Sequence, residues 1–159
     1  MGKILIISPE KCTDCRTCVM ACSFNKTKSF NPQNAAVSVY NYEEVALSVP
    51  IMCMQCEDPS CMKVCTVNAI SKNEDGTVIV DNKKCIGCKL CISACQFGNM
   101  SFNSKNKAMV KCDLCNGDPM CAKLCPSGAI QFKEPTPSEL NKKKIIADKF
   151  RELFEEVDK

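Results

Sequence analysis

The chain has 159 residues, a formal charge of +3 at neutral pH, and 16 cysteines, with no histidine and no tryptophan. That length holds one ordinary domain or two very small ones. The missing histidine excludes an imidazole base, Rieske-type ligation and C-x-x-C-H haem attachment, and the cysteine content lies far outside ordinary usage.

From the N-terminus, residues 3–7 are predicted to form a first strand. The four apolar residues at 4–7 are too few for the h-region of a secretory signal. No twin-arginine pair precedes them, and Ile6 stands where a myristoylation signal needs Ser or Thr. No apolar run approaches the roughly 18 residues of a membrane span. These features predict a cytoplasmic chain, in which cysteines serve metals or redox chemistry rather than disulfides.

The cysteines fall into four groups of four. CTDCRTCVMAC carries Cys12, Cys15, Cys18 and Cys22, and CMQCEDPSCMKVC carries Cys53, Cys56, Cys61 and Cys65. CIGCKLCISAC carries Cys85, Cys88, Cys91 and Cys95, and CDLCNGDPMCAKLC carries Cys112, Cys115, Cys121 and Cys125. The first and third groups share C-x2-C-[KR]-x-C-x3-C, with Arg16 and Lys89 at the basic position. The second and fourth end in D-P-x-C-x3-C, at Asp58-Pro59 and Asp118-Pro119. The order A, B, A, B is an internal repeat.

Reach dictates the chemistry. The first three cysteines of a run can curl around one iron–sulfur cube, while the fourth lies about a helical turn further along and faces away from it. In bacterial ferredoxin runs that fourth thiolate serves the other cluster of a pair. Four motifs then make four [4Fe-4S] clusters with every cysteine used. Structural zinc takes separated C-x2-C pairs, often with histidine, and fits these runs poorly. Thiolate ligands and four oxidised cubes would move the net charge from +3 to about −5. The chain is therefore not read as a nucleic-acid binder, and Lys142-Lys143-Lys144 reads as a solvated helix face.

Between the motifs, strands are predicted at residues 37–42 and 45–49, and a hairpin at 69–71 and 77–80 with a turn at 73–76. A last strand is predicted at 129–132. Spacing allows two pairings of the motifs, tandem (first with second, third with fourth) or nested, and does not choose between them. Within the loops, Gly87 and Gly117 let backbone N–H groups approach a cube. Asp14, which tolerates unusual backbone angles, would disfavour adding an electron nearby, and Arg16 and Lys89 would do the opposite. Ile86, Leu90, Ile92, Val19, Met20, Val64 and Leu124 are expected to pack around the cubes. No phosphate-binding glycine fingerprint and no spare cysteine is present, so the chain is read as non-catalytic by itself.

With those motifs, residues 3–132 resemble the four-cluster iron–sulfur subunits of molybdopterin and tungstopterin oxidoreductases. The compact CDLCNGDPMCAKLCPSGAI, with CTDCRTCVMACS and the short chain, is most similar to the small electron-transfer subunit of tungsten aldehyde oxidoreductases and class II benzoyl-CoA reductases. The resemblance implies an α+β fold of two ferredoxin-like 2[4Fe-4S] units, one inserted within the other, plus a C-terminal helix. The outer unit would span 1–30 with 105–133, and the inserted segment and inner unit 31–104. A linker and amphipathic helix would follow at 134–159. It also implies the nested pairing: Cys12, Cys15 and Cys18 with Cys125; Cys22 with Cys112, Cys115 and Cys121; Cys53, Cys56 and Cys61 with Cys95; Cys65 with Cys85, Cys88 and Cys91. The first and last strands would then lie together in the outer unit. Asp14 stands where the third motif has Gly87, and only Pro126 follows a last cysteine as in ferredoxins; Ser23, Thr66 and Gln96 stand at the other three places.

The function implied is a relay of single electrons to or from a large pterin-containing catalytic subunit. Further copies of this chain, or a flavin or ferredoxin electron partner, are additional candidates. The alternatives are a free-standing polyferredoxin, or a subunit of another molybdopterin oxidoreductase or of a hydrogenase complex. In the tail, Ser138 is a candidate N-cap, followed by a helix with Ile146, Phe150, Leu153, Phe154 and Val157 on one stripe. That stripe would dock on a partner or fold back onto the body.

Overall fold

A computed structural model describes residues 2–104 and 107–137. In chain order the elements are β1 (Ile4–Ile7), α1 (Thr17–Thr27), β2 (Val37–Tyr42), β3 (Leu47–Met52), α2 (Ser60–Lys63), β4 (Ile70–Lys72), β5 (Val78–Val80), α3 (Leu90–Ser93), β6 (Ser101–Asn103), β7 (Ala108–Val110), α4 (Met120–Lys123) and β8 (Ile130–Lys133). The result is an α+β fold of short pieces. The helix expected after Ser138 lies outside the described residues.

The strands form four two-stranded antiparallel sheets: β1 with β8, β2 with β3, β4 with β5 and β6 with β7. In the first, Ile4 faces Lys133 and Ile7 faces Ile130, so the first strand lies against the last described one. The β4–β5 hairpin turns as its sequence predicts. Thr77 N–H donates to Asn73 Oδ1 at 2.8 Å, and Gly76 takes a φ of 78° that few residues other than glycine adopt. The β2–β3 hairpin differs from expectation on its return side. Residues 43–45 form a 3-10 turn and Ala46 is left-handed, so β3 begins at Leu47 and runs on to Met52. The β6–β7 hairpin has no counterpart among the predicted strands.

Helix packing follows the chain ends. α1 packs against α4, and α2 against α3. One core gathers Val19, Val37, Met52 and Ile130 with buried Cys18, Cys22 and Cys121. A second gathers Ile70, Val78, Met100 and Met109 with Cys91. The limits of these cores do not coincide with boundaries at 31 and 105. Val37 and Met52 of the β2–β3 hairpin join the chain ends, and Met109 joins the middle of the chain.

The repeat is also visible at side-chain level. In both B motifs the Asp-Pro step starts a short helix whose lysine folds back on the aspartate, as Lys63–Asp58 and as Lys123–Asp118 at 2.6 Å. In both A motifs a left-handed basic residue, Arg16 or Lys89, stands immediately before the helix. α1 runs for 11 residues where α3 stops after 4. Ser23, fully buried with its hydroxyl donating to Met20 O at 3.0 Å, continues the helix past Cys22.

Candidate metal centres

Each C-x2-C loop bends at the residue before its second cysteine. Asp14, Gln55, Gly87 and Leu114 occupy that place with φ of 52°, 50°, 70° and 54°. One left-handed residue reverses the chain direction within the loop. Three of the four carry side chains, so the bend does not require glycine. At Gly87 a side chain would also crowd its neighbour, because a Cβ there would stand 3.3 Å from the Phe102 ring.

This curling brings cysteines from distant motifs together. An open-mouthed hollow is lined by Cys12, Cys15, Cys18 and Cys125. Another is lined by Cys65, Cys85, Cys88 and Cys91. Each set joins three cysteines of one run with the last cysteine of another. The remaining cysteines also have cross-motif neighbours. Burial pushes the Cys121 thiol up to about 12, and Cys112, Cys22 and Cys115 beside it add to the rise. Burial likewise raises Cys61, with Cys53 and Cys95 close enough to contribute.

The more deeply buried thiols resist ionisation, whereas hydrogen bonds from Thr17 hold Cys15 below its ordinary value. Burial pushes Cys18 up to about 11, and its neighbours Cys12, Cys125 and Cys15 raise it further. Four thiolates can share such a space only around positive charge, which iron supplies. Among the described residues no three Cys, Asp or Glu side chains converge on a single-ion site. The cavities instead place ligands around a larger body, and the residues present fit a four-iron cube.

Backbone donors complete the cradle. The last cysteine of every motif receives N–H groups on sulfur: Cys22 from Ala36 at 3.2 Å, Cys65 from Ala69 at 3.2 Å and Cys95 from Asn99 at 3.3 Å. Burial raises the Cys125 thiol, but N–H groups of Ile130, Ala129 and Ser127 and the Ser127 hydroxyl outweigh it and leave it below its ordinary value. In three motifs the donor follows a left-handed residue, Asn68, Gly98 or Gly128. Because α1 continues past Cys22, its donor comes instead from the segment leading into β2. Asn99 Nδ2 is buried without a partner among the described residues, beside Cys95. Such a stranded donor suits a site whose acceptors are sulfides.

The expected apolar shell is only partly realised. Val64, Ile86 and Leu90 line the cavity of Cys65, Cys85, Cys88 and Cys91, and Val19 is buried in the first core. Ile92 packs against the second core, but Met20 in α1 and Leu124 just after α4 are exposed, and Ile86 and Leu90 are exposed at the cavity mouth. Asp14 and Arg16 do not act singly, because Arg16 Nε donates to Asp14 Oδ1 at 3.2 Å. Lys89 lies over the Phe102 ring, 5.0 Å from its centroid. Sequence reasoning missed Gln55 and Lys111. The Gln55 amide donates to Cys112 O at 2.9 Å and its oxygen accepts from Val78 N–H at 2.9 Å. The available signal for Lys111 was its position directly before a motif, which Lys11 and Lys84 share. No helix among the described residues is long and apolar enough to cross a membrane.

Comparison with known proteins agrees with this chemistry. Residues 45–135 match a model of the 4Fe-4S dicluster domain, and residues 5–25 match one of the 4Fe-4S binding domain. The sequence is 38% identical over 96 residues to a selenate reductase subunit of Mesobacillus selenatarsenatis, covering 56% of this chain and 32% of that protein. It is 36% identical over 99 residues to a component of the anaerobic dimethyl sulfoxide reductase of Escherichia coli K12, covering 54% and 47%. It is 35% identical over 89 residues to the polyferredoxin-like subunit of an aliphatic sulfonate oxidoreductase of Pyrococcus furiosus, covering 55% and 51%. The matches thus span a third to a half of these relatives. Among solved structures, the active-site complex BamBC of benzoyl-coenzyme A reductase aligns over 96% of both chains, with 23% identity and a TM-score of 0.49.

Proposed function

Because this protein belongs to the 4Fe-4S dicluster domain family, we propose that it is the electron-relay subunit of a larger oxidoreductase whose pterin-bearing catalytic site lies on another chain. When bound, its four [4Fe-4S] clusters supply one-electron carriers. What the chain's own residues do is hold, space and screen them. The proposed sets are Cys12, Cys15, Cys18 and Cys125; Cys22, Cys112, Cys115 and Cys121; Cys53, Cys56, Cys61 and Cys95; and Cys65, Cys85, Cys88 and Cys91. The observation that carries this reading is the pair of cavities, each lined by three cysteines of one motif and the last of another. The strand pair β1–β8 and the packing of α1 on α4 and α2 on α3 support the same nested arrangement of two ferredoxin-like units.

The sets form a row. Cys22 sits in one helix with Cys18, and Cys65 ends the motif of Cys61. Between the two units, Cys53 is near enough to Cys112 to raise its thiol further, after burial. Exposed Cys15 and Cys88 then stand at the two ends, and the buried Cys112 and Cys121 lie in the middle. Entry and exit at the ends follow, with no substrate site on this chain. The partner we favour is a tungsten- or molybdenum-pterin subunit of the aldehyde oxidoreductase or benzoyl-CoA reductase type, working in the cytoplasm.

Two experiments test this. Anoxic purification is expected to give about 16 irons per chain, from four irons per cube, together with a large pterin-containing subunit. A lone, reversibly reducible protein would favour a free polyferredoxin instead. For the nested sets, Cys12→Ser and Cys125→Ser should each leave about 12 irons, and so should the double variant, because both residues serve one cube. About 8 irons in the double variant would mean two different cubes and would return the chain to tandem pairing.

A further inference from the structure

A lysine buried without a counter-ion needs an explanation, and Lys111 is one. It is 5% exposed. Its Nζ donates to Val78 O at 2.6 Å and to Cys112 O at 2.8 Å, with Gln55 Oε1 at 3.5 Å. The three protons of an ammonium therefore meet three acceptors, all of them neutral. No ion pair among the described residues includes it. Removing a charge from water without an opposite charge nearby is strongly unfavourable.

Its surroundings identify where the opposite charge lies. Gln55 immediately precedes Cys56, and its amide reaches across to the carbonyl of Cys112, so this network joins the second motif to the fourth. Lys111 Nζ bonds the Cys112 carbonyl on one side and reaches the oxygen of Gln55, the neighbour of Cys56, on the other. One cation thus faces two cysteine sets at the meeting point of the two units. Lys11 and Lys84 occupy the same place before their motifs yet are exposed, so burial singles out Lys111.

We propose that Lys111 is an internal counter-cation shared by the clusters of Cys53, Cys56, Cys61 and Cys95 and of Cys22, Cys112, Cys115 and Cys121, and that it favours their reduced states. The proposal rests on the cluster reading above. A cube in its +2 state with four thiolates is −2, and one added electron makes it −3, with no proton needed. Two such bodies side by side repel that electron. A fixed ammonium between them offsets the repulsion, and its effect is large because the junction excludes water. Lys111 is a tuning residue and does not itself carry the electron.

The test is an EPR-monitored potentiometric titration of the anoxically purified, cluster-loaded chain, with dithionite as reductant. Lys111→Met removes the charge at similar length, Lys111→Gln removes it but keeps a donor, and Lys111→Arg keeps it. In either neutral variant at full iron content, two of the four clusters should become harder to reduce, each by tenfold or more in its equilibrium constant. That corresponds to about 59 mV per cluster. The other two should stay in place, and Lys111→Arg should resemble the parent. Neutral variants that fail to load the two junction clusters while Lys111→Arg loads all four would also support a counter-charge. Four unchanged potentials at full iron, four equal shifts, or loss of iron in Lys111→Arg as well would each overturn the proposal. A parent chain holding fewer than about twelve irons would instead sink the cluster reading itself.

Discussion

Asp14 and Arg16 illustrate how a neighbour changes the meaning of a charge. Taken alone, Asp14 would hinder reduction of the adjacent cluster and Arg16 would assist it. With Arg16 Nε 3.2 Å from Asp14 Oδ1, and Arg16 well exposed, the two largely cancel and solvent screens the remainder. Asp14→Asn and Arg16→Gln should therefore shift that potential in opposite directions, each by less than a tenfold change in the reduction equilibrium, about 59 mV. The double variant should return close to the parent value, as read by the same redox titration. Gly87 is a different case, because a side chain there is disfavoured on two grounds. Its φ of 70° disfavours a Cβ, and the Phe102 ring would stand 3.3 Å from one. Gly117, at a φ of 87°, has nothing within 4 Å. Both Gly→Ala changes should cost the 1–2 kcal/mol or so of a left-handed alanine. Gly87→Ala should cost more, since Phe102 must also move, and anoxic thermal unfolding would measure the difference.

At the scale of elements, hydrogen bonds to sulfur matter more than element length. α2, α3 and α4 are single turns of 4 residues, too short to persist alone. Each is held by its flanking cysteines and by a left-handed turn that aims an N–H at the last sulfur. The β1–β8 pair has a different task, because it fastens the first motif to the fourth. Ile130, 1% exposed, is the plug beneath that pair and packs with the first core. Ile130→Ala should cost the cluster-loaded protein about 2–5 kcal/mol of stability, visible as a lower thermal midpoint. Loss of the cluster proposed for Cys125 before the others should accompany it, because Cys125 packs against the core that contains Ile130.

Across the whole molecule, little apolar material holds the fold. The chain has 7 phenylalanines, 2 tyrosines and no tryptophan, and both cores include cysteines as members. Four two-stranded sheets cannot support one another in water. The clusters therefore act as cross-links as well as carriers, in the way small domains use metals. Stripping them oxidatively should abolish the cooperative thermal transition, as followed by circular dichroism. Retention of a sharp transition in the iron-free chain would contradict this account.

The sequence by itself determined the chemistry: four runs of four cysteines, of two alternating kinds, with bends that residue type favours at Asp14 and Gly87 but does not mark at Gln55 and Leu114. Those features depend on reach along a few residues, and periodicity and spacing record such reach directly. Two strands of the β4–β5 hairpin and its turn were legible for the same reason. What only the tertiary structure decided concerns residues far apart in the chain. An A, B, A, B order is compatible with two pairings, and the neighbours of Cys18 or Cys91 become visible only when the chain has closed on itself. The same holds for Lys11, Lys84 and Lys111, which are alike in sequence. Packing of β5 and Gln55 around one of them turns a solvated charge into a buried one, and burial is a property of the surroundings rather than of the residue.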